Sequence, residues 1–119
     1  VEGTTAADLP GVPPQRHVCT VGQGPAISFM DRGSIGDKDL FRRLRDLAEE
    51  AGIPWQLKRF ISGSNDAAAV QRTRTGVRTG VISVPVRYLH APSGIASVRD
   101  MEGALALTRA LIFDLAKEV

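Results

Sequence analysis

The stretch that decides the fold is Val81-Ile-Ser-Val-Pro-Val-Arg-Tyr-Leu-His-Ala-Pro92, a β-branched run that ends in a histidine and a proline-broken turn. A continuous run of this kind is typical of a buried strand. His90 then falls where a strand of an α/β sheet ends, and ligands usually bind at the carboxyl ends of such strands. An imidazole there serves as a metal ligand, a proton carrier or a hydrogen-bonded structural group. This stretch alone leaves all three roles open.

The rest of the chain alternates between the hydrophobic patterns of strands and helices. Val1 and Glu2 resemble the end of a strand. Further strands are predicted over residues 17–21, 26–30, 54–60 and 77–88, and helices over 38–51, 66–72 and from Ser97 onward. Such an alternation predicts one α/β domain with a mixed, largely parallel sheet.

The last predicted helix carries its own signals. Ser97-Val-Arg-Asp100 resembles a capping box, with aspartate in place of the usual glutamate. The apolar residues expected on its buried side are Met101, Ala104, Leu105, Leu111 and Leu115.

Composition excludes several classes of protein. A net charge of +2 is too small to indicate a polyanionic partner, and the basic stretch 71–78 has no interleaved aromatic residues, so it predicts a solvated face rather than a nucleic-acid site. The single cysteine, Cys19, excludes an internal disulfide framework and fits a reducing cytoplasm. No run approaches the ~20 apolar residues of a membrane span, and no signal peptide is recognisable. We therefore expect a cytoplasmic protein without nucleic-acid or membrane partners.

Few residues are placed to carry chemistry. There is no G-x-S-x-G elbow and no Walker A sequence, and Gly22-Gln-Gly24 lacks the further glycine of a dinucleotide loop. The polar groups expected at strand ends or in adjoining loops are Glu2, Asp8, Asp66 and His90. A catalytic zinc ion needs about three protein ligands. Either this chain holds no metal, or the other ligands lie on sequence outside these residues.

Four segments together resemble one known family. They are Glu2-Gly-Thr-Thr-Ala-Ala-Asp-Leu-Pro-Gly-Val12, Gly22-Gln-Gly-Pro-Ala-Ile27, Gly63-Ser-Asn-Asp-Ala67 and Ile82-Ser-Val-Pro-Val-Arg-Tyr-Leu-His-Ala-Pro92. Their order and spacing resemble the C-terminal part of the dinuclear metalloaminopeptidases, which include glutamyl, deblocking and tetrahedral (TET) aminopeptidases. Some members of that family carry the label endoglucanase or cellulase.

The resemblance implies specific roles. Glu2 matches a terminal ligand of one metal ion, His90 matches a ligand of the other, and Asp66 matches a substrate-binding position. It also implies two divalent ions, zinc or cobalt, a peptide substrate, a homo-oligomer, and a three-layer sandwich of which residues 1–119 form the C-terminal part. The general base and the remaining ligands are expected upstream, so these residues alone are expected to be inactive. The start at Val1, without methionine, fits that expectation.

The sequence also departs from the family pattern. The segment G-G-T-D-A-G appears as Gly63-Ser-Asn-Asp-Ala-Ala68, and H-S-P-x-E appears as His90-Ala-Pro-Ser-Gly94. Two alternatives stay open: a non-catalytic scaffold or assembly segment, and a glycoside hydrolase. The metal hypothesis makes a geometric prediction, namely that Glu2 and His90 lie close together because each closes a strand at one edge of the sheet.

Overall fold

The computed structural model describes residues 1–118 as a mixed five-stranded sheet with two long helices against one face. The strands are β1 (Glu2–Thr5), β2 (Ala26–Ser28), β3 (Gln56–Leu57), β4 (Val81–Arg87) and β5 (Ile95–Ala96). Their order is β1-β4-β2-β3, and β5 pairs with the far end of β4. The stretch from Val81 to Pro92 thus contains β4, the strand to which three others pair.

The strand pairings confirm an α/β fold with a mixed sheet. β1 runs parallel to β4, with Glu2 opposite Ser83 and Thr5 opposite Val86. β2 and β3 are also parallel, whereas β4 pairs antiparallel with both β2 and β5. Parallel and antiparallel pairings are therefore equally frequent, and the sheet is less parallel than the alternation of elements indicates.

The helices are α1 (Lys38–Glu50), α2 (Ala67–Gln71) and α3 (Val98–Leu115), with short 3-10 turns at Pro14–Arg16 and Ala116–Glu118. The side chain of Asp37 accepts hydrogen bonds from the N–H groups of Asp39 and Leu40, which caps the start of α1. The predicted helices over 38–51 and 66–72 are confirmed. No helix within residues 1–118 is long and apolar enough to span a membrane.

The main core lies between the sheet and the two long helices. It contains the buried side chains of Ile27, Leu44, Ala48, Ile82, Ala104 and Leu107. Consecutive strand residues point to opposite faces, so Ala26 faces the other side, where it packs with Ala6 and Cys19. The segment that joins β1 to β2 therefore covers that second face.

Three strand predictions need correction. Residues 17–21 form no strand, because the N–H groups of Val18 and Cys19 both bond to the carbonyl of Ala6 and so build no ladder. Of the predicted strand 54–60, only β3 is paired. β4 begins at Val81 rather than at residue 77.

The start of α3 also differs from the prediction. Ser97 is the N-cap, but its side chain makes no capping bond. Asp100 is fully buried and accepts hydrogen bonds from the N–H groups of Gly22 and Gly24, at 2.7 and 2.8 Å. The capping-box prediction is therefore wrong, because Asp100 binds the loop before β2 instead of its own helix end.

The buried side of α3 is only partly as predicted. Ala104 is buried, and Leu111 and Leu115 are half-buried, but Met101 and Leu105 are 49% and 62% exposed. Leu107 is fully buried in place of Leu105. The apolar residues of α3 extend around most of the helix, so their spacing alone does not identify the core side.

Gly24 occupies a position that only glycine can take. Its φ is +91°, and a Cβ there would lie 2.1 Å from the carbonyl oxygen of Pro54. Gly22-Gln-Gly24 forms a turn, which is held between Asp100 and the segment before β3.

Candidate functional site

A cavity of about 570 Å³ runs along β1, and all four residues of that strand line it. Its other walls come from the turn after β4, from residues 62–65, and from Val18 and Lys58. The ionisable side chains of its lining are Glu2, Lys58 and His90. Two of the three are residues for which the sequence predicts a metal-binding role.

Glu2 is the first residue of β1 and lies opposite Ser83. It therefore opens a strand, which corrects the expectation that it closes one. Its half-buried carboxylate accepts a hydrogen bond from Nδ2 of Asn65 at 2.8 Å. The Asn65 Oδ1 atom in turn accepts the N–H of Ala67 at the start of α2. The loop before α2 thus orients the Glu2 carboxylate.

His90 is the exposed third residue of a tight turn that follows β4. The turn is closed by a hydrogen bond from the N–H of Ala91 to the carbonyl of Tyr88 at 3.1 Å. Tyr88 and His90 have φ values of 61° and 67°, which non-glycine residues rarely adopt. Backbone strain of this kind concentrates at functional sites.

The turn brings His90 back over β1. The Cδ1 atom of Leu89 lies 3.4 Å from the position that a Cβ of Gly3 would occupy. Glu2 begins β1, and His90 follows the end of β4, which runs parallel to β1. The two residues therefore start from opposite ends of the strand pair, yet both line the same cavity. They share this cavity because the chain reverses after β4, and not because two strands end at one edge.

Asp66 lies beside this cavity instead of in its wall. It is exposed, immediately precedes α2, and lines a smaller cavity of about 240 Å³ that also includes Glu2 and Asn65. Its substrate-binding role stays a prediction. The residue of this loop that reaches both Glu2 and the larger cavity is Asn65.

Sequence reasoning missed both Asn65 and Lys58. Asn65 lies next to Asp66 in the family-like segment Gly63–Ala67, and its position before a short helix was the available signal. Lys58 follows β3, and its Nζ donates to the carbonyl of Ser62 at 3.1 Å. No motif marks Lys58, since only the tertiary fold brings it to the cavity.

The donor set of the cavity fits part of a metal centre. A carboxylate and an imidazole are both common zinc ligands. Within residues 1–118, however, no three histidine, cysteine, aspartate or glutamate side chains lie close enough to hold one ion. The described residues therefore supply two candidate ligands and no complete centre.

The sequence model of M42 glutamyl aminopeptidases matches residues 1–107. The chain belongs to this family. Its fold is similar to an aminopeptidase from the archaeon Desulfurococcus kamchatkensis, with a TM-score of 0.89 and 35% identity over 92% of this chain and 32% of that one. It is also 31% identical to the lysyl aminopeptidase of Pyrococcus furiosus, in an alignment that covers 78% of this chain and 29% of that protein.

Two further solved structures are similar to this chain and carry different descriptions. A Pyrococcus horikoshii TET1 peptidase described as assembling into a tetrahedron or an octahedral shell matches with a TM-score of 0.71 and 32% identity over 84% of this chain and 29% of that one. A Thermotoga maritima structure described as an endoglucanase matches with a TM-score of 0.67 and 35% identity over 92% of this chain and 31% of that one. The chain spans about one third of the length of the curated relatives it matches.

Proposed function

We propose that the protein acts as a metal-dependent aminopeptidase that removes N-terminal residues from peptides. The observation that carries the proposal is that Glu2 and His90 line one cavity in a chain of the M42 family. Relatives named lysyl and glutamyl aminopeptidase support this reaction class.

In this proposal, Glu2 and His90 are ligands of two different divalent ions, zinc or cobalt. When bound, such a pair of ions polarises the scissile carbonyl and activates a water molecule. Asn65 orients the Glu2 carboxylate through Oε1, as groups behind a metal ligand commonly do. The strained turn after β4 fixes where the His90 imidazole lies.

The general base and the remaining ligands are proposed to lie on other parts of the polypeptide. Glu2 is the only carboxylate among the cavity-lining residues that the structure describes, and it serves as a ligand. Residues 1–119 alone should therefore be inactive and retain no stoichiometric zinc after dialysis. Elemental analysis tests this: stoichiometric zinc that is lost on His90→Ala would mean that the chain holds a complete site.

Peptide hydrolysis is preferred over glycoside hydrolysis because matched relatives are named aminopeptidases. Glycoside hydrolysis ordinarily uses two carboxylates that flank the sugar, and the described lining supplies one carboxylate, Glu2. The endoglucanase name of one neighbour belongs to that protein. Hydrolysis of aminoacyl p-nitroanilides by the complete gene product distinguishes the peptidase role from a non-catalytic scaffold role.

We further propose that the protein forms a homo-oligomer in the cytoplasm. The assemblies described for the TET1 peptidase support self-association. A single cysteine, free and buried, is typical of a reducing compartment.

The test uses the complete coding sequence that contains these residues. An upstream H-x-D segment and a consecutive Glu-Glu pair would identify the remaining site residues. The wild-type product should hydrolyse aminoacyl p-nitroanilides with zinc or cobalt, Glu2→Ala and His90→Ala should abolish hydrolysis, and Asp46→Ala, an exposed change on α1, should not. Wild-type inactivity would support the scaffold alternative, and full activity of both site variants would remove Glu2 and His90 from the site.

A further inference from the structure

An ion pair joins the segment that follows β1 to the last residue of β4. Nε and Nη2 of Arg87 donate to Oδ1 and Oδ2 of Asp8, each at 2.8 Å. Two parallel bonds of this kind fix the relative orientation of both groups. Asp8 Oδ2 also accepts the N–H of Val21 at 2.9 Å. The Asp8 side chain is only 3% exposed, so water competes little for these bonds.

The pair lies between two strained backbone positions. Ala7, directly before Asp8, and Tyr88, directly after Arg87, both have a φ of 61°. Neither is glycine, so this conformation persists only where the surroundings hold it. The Asp8–Arg87 pair links the backbone next to Ala7 with the backbone next to Tyr88.

The position of His90 depends on where β4 ends. The N–H of Ala6 donates to the carbonyl of Val86 at 3.0 Å, which continues the β1–β4 pairing to its last register. Arg87 still pairs with Ile95 of β5, and after it the chain leaves the sheet and folds back, so that Leu89 reaches Gly3 and His90 reaches the cavity. Arg87 is thus the last anchored side chain before the turn.

We propose that Asp8 and Arg87 are positioning residues that hold the turn after β4, and with it His90, against β1. Neither side chain lines the cavity, so both act on the site only through His90. The inference rests on the proposed function for its consequence, because His90 matters there as a metal ligand. The effect of the Asp8–Arg87 pair on the turn, here called the clamp, is a property of the fold and is measurable without metal.

The experiment is NMR spectroscopy of the metal-free chain. The contact between the Leu89 Cδ1 methyl and Gly3 should give a strong nuclear Overhauser effect (NOE) in the wild type. Asp8→Asn and Arg87→Gln should weaken it several-fold and shift the His90 ring signals, while the NOEs between the paired Ile27 and Ile82 remain. Asp114→Asn is the matched control, since it breaks the ion pair with Arg43 between α1 and α3 and should leave the Leu89 signal unchanged.

Arg87→Lys covers the case in which the stronger changes unfold the chain. Lysine keeps the charge but loses the two-pronged geometry, so the Leu89–Gly3 NOE should weaken while the fold persists. An unchanged NOE in Arg87→Lys and in the other folded variants would overturn the clamp. The proposed function is tested separately by the activity of the complete gene product: full activity of His90→Ala would remove the ligand role, and the NOE result would stand.

Discussion

The carboxylate of Asp100 accepts a hydrogen bond from the N–H of Gly24 at 2.8 Å, across 76 positions of sequence. A second bond, from the N–H of Gly22, engages the other carboxylate oxygen. The first turn of α3 therefore holds the tight loop that leads into β2, which pairs with the strand bearing the His90 turn.

Replacing Asp100 with alanine should lower the free energy of unfolding by about 2–4 kcal/mol, because the buried N–H of Gly24 and the more exposed N–H of Gly22 both lose a charged acceptor. Glu102→Ala, an exposed change in the first turns of the same helix, should change it by less than about 0.5 kcal/mol. Urea denaturation measures both. Equal effects would show that Asp100 does not hold the loop.

Leu107 and Leu105 provide a second matched pair on α3. Leu107 is fully buried and Leu105 is 62% exposed. Leu107→Ala should lower the free energy of unfolding by about 2–5 kcal/mol through lost burial and a cavity, and Leu105→Ala by about 0.5 kcal/mol or less. The reverse order in urea denaturation would contradict the observed side of α3 that faces the core.

Cys19 should be unreactive in the folded protein. Burial raises the pKa of its thiol to about 12, so little thiolate forms at neutral pH. A disulfide reagent that releases a coloured thiol should react slowly with the native chain at pH 8 and rapidly in urea. Rapid modification of the native chain would mean that the segment from Ala6 to Cys19 does not cover the sheet as described.

Asp8 should contribute acid-sensitive stability. The hydrogen bonds from Arg87 hold the pKa of the Asp8 carboxyl below its usual range. Since the unfolded state then binds the proton more readily, this contribution is complete above the unfolded pKa of about 3.9 and is lost as the pH falls through the folded value. The difference in unfolding free energy between wild type and Asp8→Asn should be constant from pH 7 to about pH 5 and shrink below about pH 4. A difference independent of pH would contradict this.

Local signals in the sequence predicted part of the fold well. Residues 38–51 show helical spacing, and α1 forms over Lys38–Glu50 with Asp37 as its N-cap and Ala51 as its C-cap. Residues 17–21 resemble a strand in composition, but whether they pair depends on Ala6, whose carbonyl takes both N–H groups of Val18 and Cys19. The tertiary fold decides whether these N–H groups bond to Ala6 or to a neighbouring strand, so no local sequence pattern predicts the outcome.

The sequence likewise predicted only some features of the candidate site. Glu2 and His90 were predicted because they stand in family segments, and both line the cavity. The expectation that each residue closes a strand was wrong for Glu2, which opens β1, and His90 reaches the cavity because the chain reverses after Arg87. Strain at Tyr88 and His90 is a backbone property that these residue types do not indicate.

The central claim is that Glu2 and His90 bind two different metal ions of an aminopeptidase site. A crystal structure of the complete gene product with zinc, measured at the zinc absorption edge, tests it most directly. We expect two anomalous peaks ~3.5–4 Å apart, one within ~2.2 Å of a Glu2 carboxylate oxygen and the other within ~2.1 Å of a His90 ring nitrogen. Two fully occupied zinc ions with either residue outside ligand distance, or no zinc at this cavity, would contradict the account.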